Sequence, residues 1–454
     1  MKIPRETGIL VWFMASTARK RKSKNPGETD GPELRLEFAK ATRPAGQTGW
    51  QTELAEFCEF GPVTRRLETR FTRSDGTAGG VDTYVNEFWT ARQRQASSLH
   101  EISYRACFKP QLPRFFIERL TQPGEMVYDP FMGRGTTPLE AALLGRVPVG
   151  CDVNPLSAVL VRPRLHPPSL EAVTARLQTI DLTVHDEFPE ELLVFYHPET
   201  LREIASLKKY LLDRRRTGGL DPIDDWICMV AINRLTGHSS GFFSVYTLPP
   251  NQAVSVKSQQ RINAKRQQTP PQREIRKIIL KKTRILLSDC DEAARRHLEQ
   301  VAPRAKLLTK LAAQTPEIPS GSVALVVTSP PFLDVVDYAT DNWLRCWFLG
   351  IEAKSVALTV PRKLEAWKQA MTEVMHELRR VLRPGGHVAF EVGEVHAGKT
   401  RLEEAVLPCG LDVGLEPLAV VINDQKFTKT ANCWGVDNMA KGTNTNRIVV
   451  LRKS

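Results

Sequence analysis

Residues 126–153 read MVYDPFMGRGTTPLEAALLGRVPVGCDV. MVYDPF (126–131) has the look of a short strand and GRGTT of a glycine turn. PLEAALLGR (138–146) reads as a helix with proline in its first turn, where the missing N–H costs nothing. VPVGCDV (147–153) reads as a second strand. Strand, glycine loop, helix and strand within about 30 residues make a βαβ unit. Glycines between a strand and a helix let a ligand approach the backbone closely, here at Gly133 and Gly135. Asp152 falls at the tip of the second strand, where a carboxylate can accept from both hydroxyls of a ribose. The spacing fits an adenosine-containing cofactor; a tight turn in any α/β protein is the plainer reading.

Working outward, the α/β character spans residues 101–165 and returns after 301. SVALVV (322–327) is an uncharged run and reads as a buried strand. It leads straight into TSPPF (328–332). Proline cannot donate to a strand ladder and stiffens the backbone, so the strand ends there on a rigid platform. EVMHELRRVLRPGG reads as a helix stopped by Pro-Gly-Gly, and HVAFEVGEV as the strand after it. PLAVVIND and NRIVVLRK can pair near the C-terminus.

DPFMGRGTT (129–137) resembles the DPF-x-G-x-GTT signature of the S-adenosylmethionine-dependent DNA amino-methyltransferases, and TSPPF resembles their (Ser/Thr/Asp/Asn)-Pro-Pro-(Tyr/Phe) segment. Lys109-Pro110 is similar to the family's segment leading into the cofactor strand, and GRVPVGCDVNP to its second strand. The resemblance covers 101–165 and 301–454. It implies an α/β fold: a Rossmann-like seven-stranded class I methyltransferase sheet with a mainly helical insertion. The cofactor would be S-adenosylmethionine, held by Lys109, Asp129, Pro130, Phe131, Gly133, Gly135, Thr136, Thr137, Asp152 and Asn154. Catalysis would fall to Ser329, Pro330, Pro331 and Phe332. The residue types suit the task. An aromatic amine is a poor nucleophile, and acceptors around its protons, the Ser329 oxygen and the Pro330 carbonyl, aim its lone pair at the methyl group. Phe332 would stack on a base extruded from the helix. Asp334, Asp337 and Tyr338 are candidates for the base pocket. No covalent intermediate and no metal are needed.

Serine at the first motif position resembles the cytosine-N4 branch, which gives a site-specific enzyme methylating cytosine N4 in duplex DNA. Adenine N6, an RNA amino group, and an inactive DNA-binding relative are the alternatives. Carbon-5 chemistry needs a cysteine nucleophile, and Cys409 in LPCG lacks that family's surrounding context. Many relatives carry an acid before the catalytic strand that contacts the cofactor adenine. AKLLTKLAA offers Thr309 and Lys310 instead, and Asp289 is a candidate for that contact.

The chain has 454 residues and a net charge of +12. Residues 166–300 read as a helical insertion, with 203–212, 221–237 and 271–287 as helix candidates. Between 257 and 284 lie ten Lys/Arg and one acid, Glu274. Such density suits phosphate contacts, from Lys257, Arg261, Lys265, Arg266, Arg276, Lys277, Lys281, Lys282 and Arg284. The segment just upstream, 233–255, offers amides, hydroxyls and aromatics that could read base edges. A solvated helix face is the plainer reading.

Residues 1–35 read as a disordered basic tail and 36–100 as an extension with no assigned role. The eight cysteines form no C-x-x-C pair, which points to free thiols and no zinc. No apolar run reaches membrane-spanning length. The expected partners are double-stranded DNA and, through the family, a cognate restriction endonuclease. The expected location is cytoplasmic and nucleoid-associated, or nuclear in a eukaryotic source.

Overall fold

Short apolar runs alternating with amphipathic ones leave the chain one way to hide both: helices laid on the faces of a sheet. The structure is a computed structural model. It describes residues 49–454 except 91–95, 105–106, 185–186, 248–252, 332–337, 353–360, 362, 396–399 and 425–444. Its main strands are β1 (Arg65–Thr72), β2 (Ala78–Asn86), β3 (Met126–Asp129), β4 (Val147–Asp152), β5 (Lys306–Thr309), β6 (Val323–Thr328), β7 (Leu382–Val392), β8 (Glu416–Asp424) and β9 (Thr445–Arg452). They form one sheet in the order β1-β2-β8-β9-β7-β6-β3-β4-β5. Strands β3 to β7 run parallel, and β9 is antiparallel to both β7 and β8.

The seven expected strands are therefore present as β5-β4-β3-β6-β7-β9-β8. Two more come from the segment that had no assigned role. The hairpin β1–β2 lays β2 parallel to β8. The Asn423 amide oxygen fastens it, accepting from the backbone N–H groups of Phe88 (2.7 Å) and Trp89 (3.2 Å).

The described helices are α1 (Gly49–Glu56), α2 (Gln111–Leu120), α3 (Thr136–Leu143), α4 (Pro155–Leu165), α5 (Leu170–Thr179), α6 (Pro198–Arg216), α7 (Pro222–Ile232), α8 (Val256–Arg266), α9 (Ile275–Leu286), α10 (Glu292–Val301), α11 (Tyr338–Leu349), α12 (Leu364–Val381) and α13 (Leu402–Asp412). Apolar residues of α12 and α13 pack on one sheet face, and those of α1 and α2 on the other. Helices α4 to α7, α9 and α10 share a separate core with α11. That helical core is tied together by Asp224, fully buried, which accepts from Arg176, Arg214 and Tyr210 and so joins α5, α6 and α7. A buried carboxylate is tolerable only with such partners.

Candidate active site

In open α/β sheets, ligands bind beyond the carboxyl ends of the strands. β3 and β6 are neighbours, so DPFMGRGTT and TSPPF emerge side by side. After Asp129 the chain turns through Gly133 (φ 48°) and Gly135 (φ 75°), both in the left-handed region. At Gly135 the need is also steric: a Cβ there would overlap the side chain of Val161 on α4. At Gly133 it would only touch the Tyr104 ring at 3.4 Å, so there the backbone angle alone calls for glycine.

Asp152 closes this turn onto β4. Its Oδ2 accepts from the Gly133 N–H at 2.9 Å and its Oδ1 from the Asn154 N–H at 2.8 Å. Burial raises its pKa, and those two bonds, with one from the Ser157 side chain, pull it back. A carboxylate has roughly four lone-pair directions. With the Ser157 hydroxyl also acting on it, the half-buried group still has acceptor capacity for a hydroxyl donor, so the cradle fits the ribose of an adenosine-type cofactor.

Other residues of the expected cofactor set are bonded to protein. Asn154 Oδ1 caps α4, accepting from the Leu156 N–H at 3.0 Å. Thr137, fully buried, donates to the Val327 carbonyl on β6 at 3.0 Å. Thr136 Oγ1 accepts from Arg134 Nε at 3.2 Å. Pro130 is buried and Phe131 half-buried. Lys109 is half-buried at the start of α2, its pKa lowered by burial and then by Arg134.

Asp129 is the hinge between the two motifs. It is 1% exposed and accepts from Thr328 Oγ1 at 2.6 Å and from the Phe131 N–H at 3.0 Å. Burial pushes its pKa up to about 7 against those bonds. Thr328 immediately precedes Ser329, so the end of β3 holds the start of the Ser-Pro-Pro loop that leaves β6. On the other side, the Trp367 indole N–H of α12 donates to the Pro331 carbonyl at 3.0 Å. Ser329 is half-buried and Pro330 buried. Phe332, Asp334 and Asp337 lie outside the described residues.

Two groups escaped the sequence reading. Glu391, buried at the end of β7, hydrogen-bonds the Ser329 side chain and accepts from Asn446 Nδ2 at 2.6 Å. Its signal was present: a lone carboxylate inside the apolar strand VAFEV needs a partner. The second is an arginine pair. Arg134 donates to the carbonyls of His100, Ile102 and Phe108, and buried Arg164 to those of Leu99 and Arg134. Together they pin the segment before Lys109 onto the glycine loop. Asp289 is engaged elsewhere, accepting from the Ser98 N–H at 2.8 Å and its hydroxyl at 2.5 Å. Cys409 is buried in α13 with its thiol on the Ala405 carbonyl.

Residues 63–158 match the family model described as DNA methylase, of the N6/N4 type. Over those residues the chain matches the amino-methyltransferase family. The match takes in the β1–β2 hairpin as well as the glycine loop and Asp152. The methyl donor of this family and fold is S-adenosylmethionine. Among curated relatives, the type II methyltransferase M.BsoBI of Geobacillus stearothermophilus is 20% identical over 71% of this chain and 67% of its own length. M.MjaII of Methanocaldococcus jannaschii is 31% identical over 16% of this chain and 14% of that one. The solved structure of TrmN from Thermus thermophilus is 13% identical, covers 80% of this chain and 52% of that one, and superposes with a TM-score of 0.32, too loosely to carry an argument.

The basic segment divides in two. Lys257, Arg261, Lys265 and Arg266 on α8, and Lys281 and Arg284 on α9, are exposed. Arg266 also stacks on Tyr246, 3.7 Å from its ring centre. The others are engaged. Arg276 caps the end of α5, donating to the carbonyls of Leu177 (3.0 Å) and Ile180 (2.5 Å). Lys277 pairs with Glu274 at 2.7 Å. Lys282 is 8% exposed, 3.9 Å from Glu101, its pKa lowered by burial to about 8. Upstream, Asn233, Phe243, Ser244 and Thr247 are buried, which takes them out of reach of base edges; Ser239 and Ser240 are exposed.

Proposed function

We propose that the chain is a site-specific DNA methyltransferase that methylates the N4 amino group of cytosine in duplex DNA. The observation that carries this is the placement of Ser329-Pro330-Pro331 at the end of β6, bonded through Thr328 to Asp129 and so to the glycine loop. S-adenosylmethionine, when bound, supplies an electrophilic methyl group on a sulfonium. In this reading Gly133, Gly135 and Asp152 hold its adenosine, with Lys109 near its other end. Asp129, Thr137 and Thr328 act at one remove, fixing where the loop and the strand end lie. Ser329 and the Pro330 carbonyl accept from the amino group and aim its lone pair. Two prolines and the Trp367 bond stiffen that loop, so little reorganisation is needed at the moment of reaction.

Serine rather than a carboxylate or amide at the first motif position favours cytosine. Duplex DNA binding is assigned to the exposed cations of α8 and α9, which supply non-specific affinity. M.BsoBI and its fellow relatives bear type II names, and by that likeness a partner endonuclease is proposed too.

The test is mass spectrometry of nucleosides from cells expressing the chain, beside a Ser329→Ala, Pro330→Ala double variant. N4-methylcytosine confined to the unaltered chain is the expected result. N6-methyladenine in its place would overturn the choice of base. Neither mark, from folded protein that binds S-adenosylmethionine, would overturn the DNA substrate.

A further inference from the structure

The catalytic loop meets a carboxylate that the usual motif does not contain. β6 and β7 run parallel with Thr328 opposite Phe390, which brings Ser329 beside Glu391. Glu391 is 8% exposed. Burial raises its pKa, and the Ser329 hydroxyl and the Asn446 amide, its two hydrogen-bond partners, pull it back. Asn446 arrives from β9, where Ile448 pairs with Glu391. Of the adjoining strands, β6 carries no charged residue, and on β9 Arg447 pairs with Glu403 at 2.5 Å and Arg452 with Glu416 at 2.7 Å; one strand further, Asp129 of β3 is committed to Thr328 and Phe131. No charged side chain contributes to the Glu391 shift among the described residues.

We propose that Glu391 is the positioning residue of Ser329 and the terminal acceptor of the proton that amino-group methylation releases. This rests on the amino-methyltransferase reading of Ser329. A hydroxyl that donates to a carboxylate has a fixed proton, so its lone pairs point away from that carboxylate, toward the target amine. A neutral partner would leave the hydroxyl free to donate to the amine nitrogen and mask its lone pair.

The balance of the step is as follows. The amino nitrogen's lone pair forms the N–C bond as the S–C bond breaks, its electrons staying on sulfur. The nitrogen, now cationic, gives one proton to Ser329 Oγ. That oxygen passes its own proton to Glu391, which becomes a neutral acid and later returns the proton to water. Glu391 must start ionised, so activity should fall as pH drops through its raised pKa. Removing the Asn446 donor destabilises the carboxylate further and should carry that acidic limb to higher pH.

Two measurements test this on the full chain. The first is single-turnover methylation of unmethylated bacterial DNA across pH 5 to 9. Glu391→Gln should lower the rate at least tenfold and lose the acidic limb, with S-adenosylmethionine binding unchanged. Asn446→Ala should keep the limb but move it upward. The second needs no activity: infrared titration of the Glu391 carboxyl, identified by its absence in Glu391→Gln. Ser329→Ala and Asn446→Ala should each raise that titration. An unaltered chain that methylates nothing counts against the proposed function, not against the Ser329–Glu391 link, which the infrared titration decides. Methylation with the Glu391→Gln limb intact, or an infrared titration unmoved by Ser329→Ala, overturns the inference.

Discussion

The ends of β3 and β6 and the pair α8–α9 use polar side chains in opposite ways. At the sheet ends, Asp129, Thr137, Thr328 and Asn154 each bond a defined protein partner. Along α8 and α9, cations that look alike in sequence split into engaged and exposed sets. At the sheet end a residue's type and position fix its role, because a buried polar atom without a partner costs about 1–3 kcal/mol. On the helices water is a sufficient partner, so charge alone decides little. The difference shows where a motif can be trusted and where a count of charges cannot.

The sharpest way to break this comparison is at Asp129. Asp129→Ala leaves the Thr328 hydroxyl and the Phe131 N–H facing a void. It should cost about 3 kcal/mol of stability and abolish methylation, as read by denaturant melts and nucleoside analysis. Asp129→Asn should fold, since an amide oxygen can still accept. It should also remove a pH effect. The folded carboxyl keeps its proton up to about pH 7, whereas the ordinary value is 3.8. The unfolded chain therefore loses that proton first, and stability should fall as pH rises from about 4 to about 7. Melts at pH 5 and pH 8 should differ less in Asp129→Asn than in the unaltered chain.

Next in size is Gly135→Ala, which combines a left-handed φ with the overlap on Val161 and should cost about 2 kcal/mol. Adding Val161→Ala should recover part of it, the remainder being backbone strain. Trp367→Phe removes one bond to the Ser329–Pro331 loop and, on the proposed function, should lower the methylation rate a few-fold, with a stability loss of about 1 kcal/mol. The smallest stability effects belong to the helices and sharpen the contrast. Charge removal at Lys257, Arg261 and Lys265 should leave the melt unchanged but reduce the salt slope of DNA binding by up to about 3. Arg276→Gln should do the reverse, costing about 1 kcal/mol because α5 loses its cap, with the slope intact. If Arg276→Gln moves the slope as much as the three exposed cations, the division between the two sets is wrong.

What could be read in advance follows the same line. The glycine loop, Asp152 and the prolines were legible because strand, turn and helix each impose residue types within a few positions. The β1–β2 hairpin was not. In RRLETRFT only Phe71 is buried, so the alternation that marks a half-buried strand is missing, and SDGTAGG reads as an ordinary loop. Helix α8 has a single buried residue, Gln259, and hence no apolar stripe to detect. Sequence places Asn154 and Thr137 beside the loop but does not show the protein partners their side chains take, the Leu156 N–H and the Val327 carbonyl. Glu391 was legible in principle, as a charge in a buried strand, but its partner lies 62 residues away across a strand pairing that sequence does not show.

The hairpin at the sheet's edge also has a consequence for biosynthesis. Phe88 meets its anchor Asn423 across 335 residues of chain. At roughly 5–20 residues per second on the ribosome, β1 and β2 wait about 20–70 s for that anchor to emerge. For most of that time β3 can already pair with β4, while the apolar residues of the hairpin, Tyr84 and Val85 among them, have no strand β8 to join. For the nascent chain, the early-made hairpin is the stretch most in need of a chaperone.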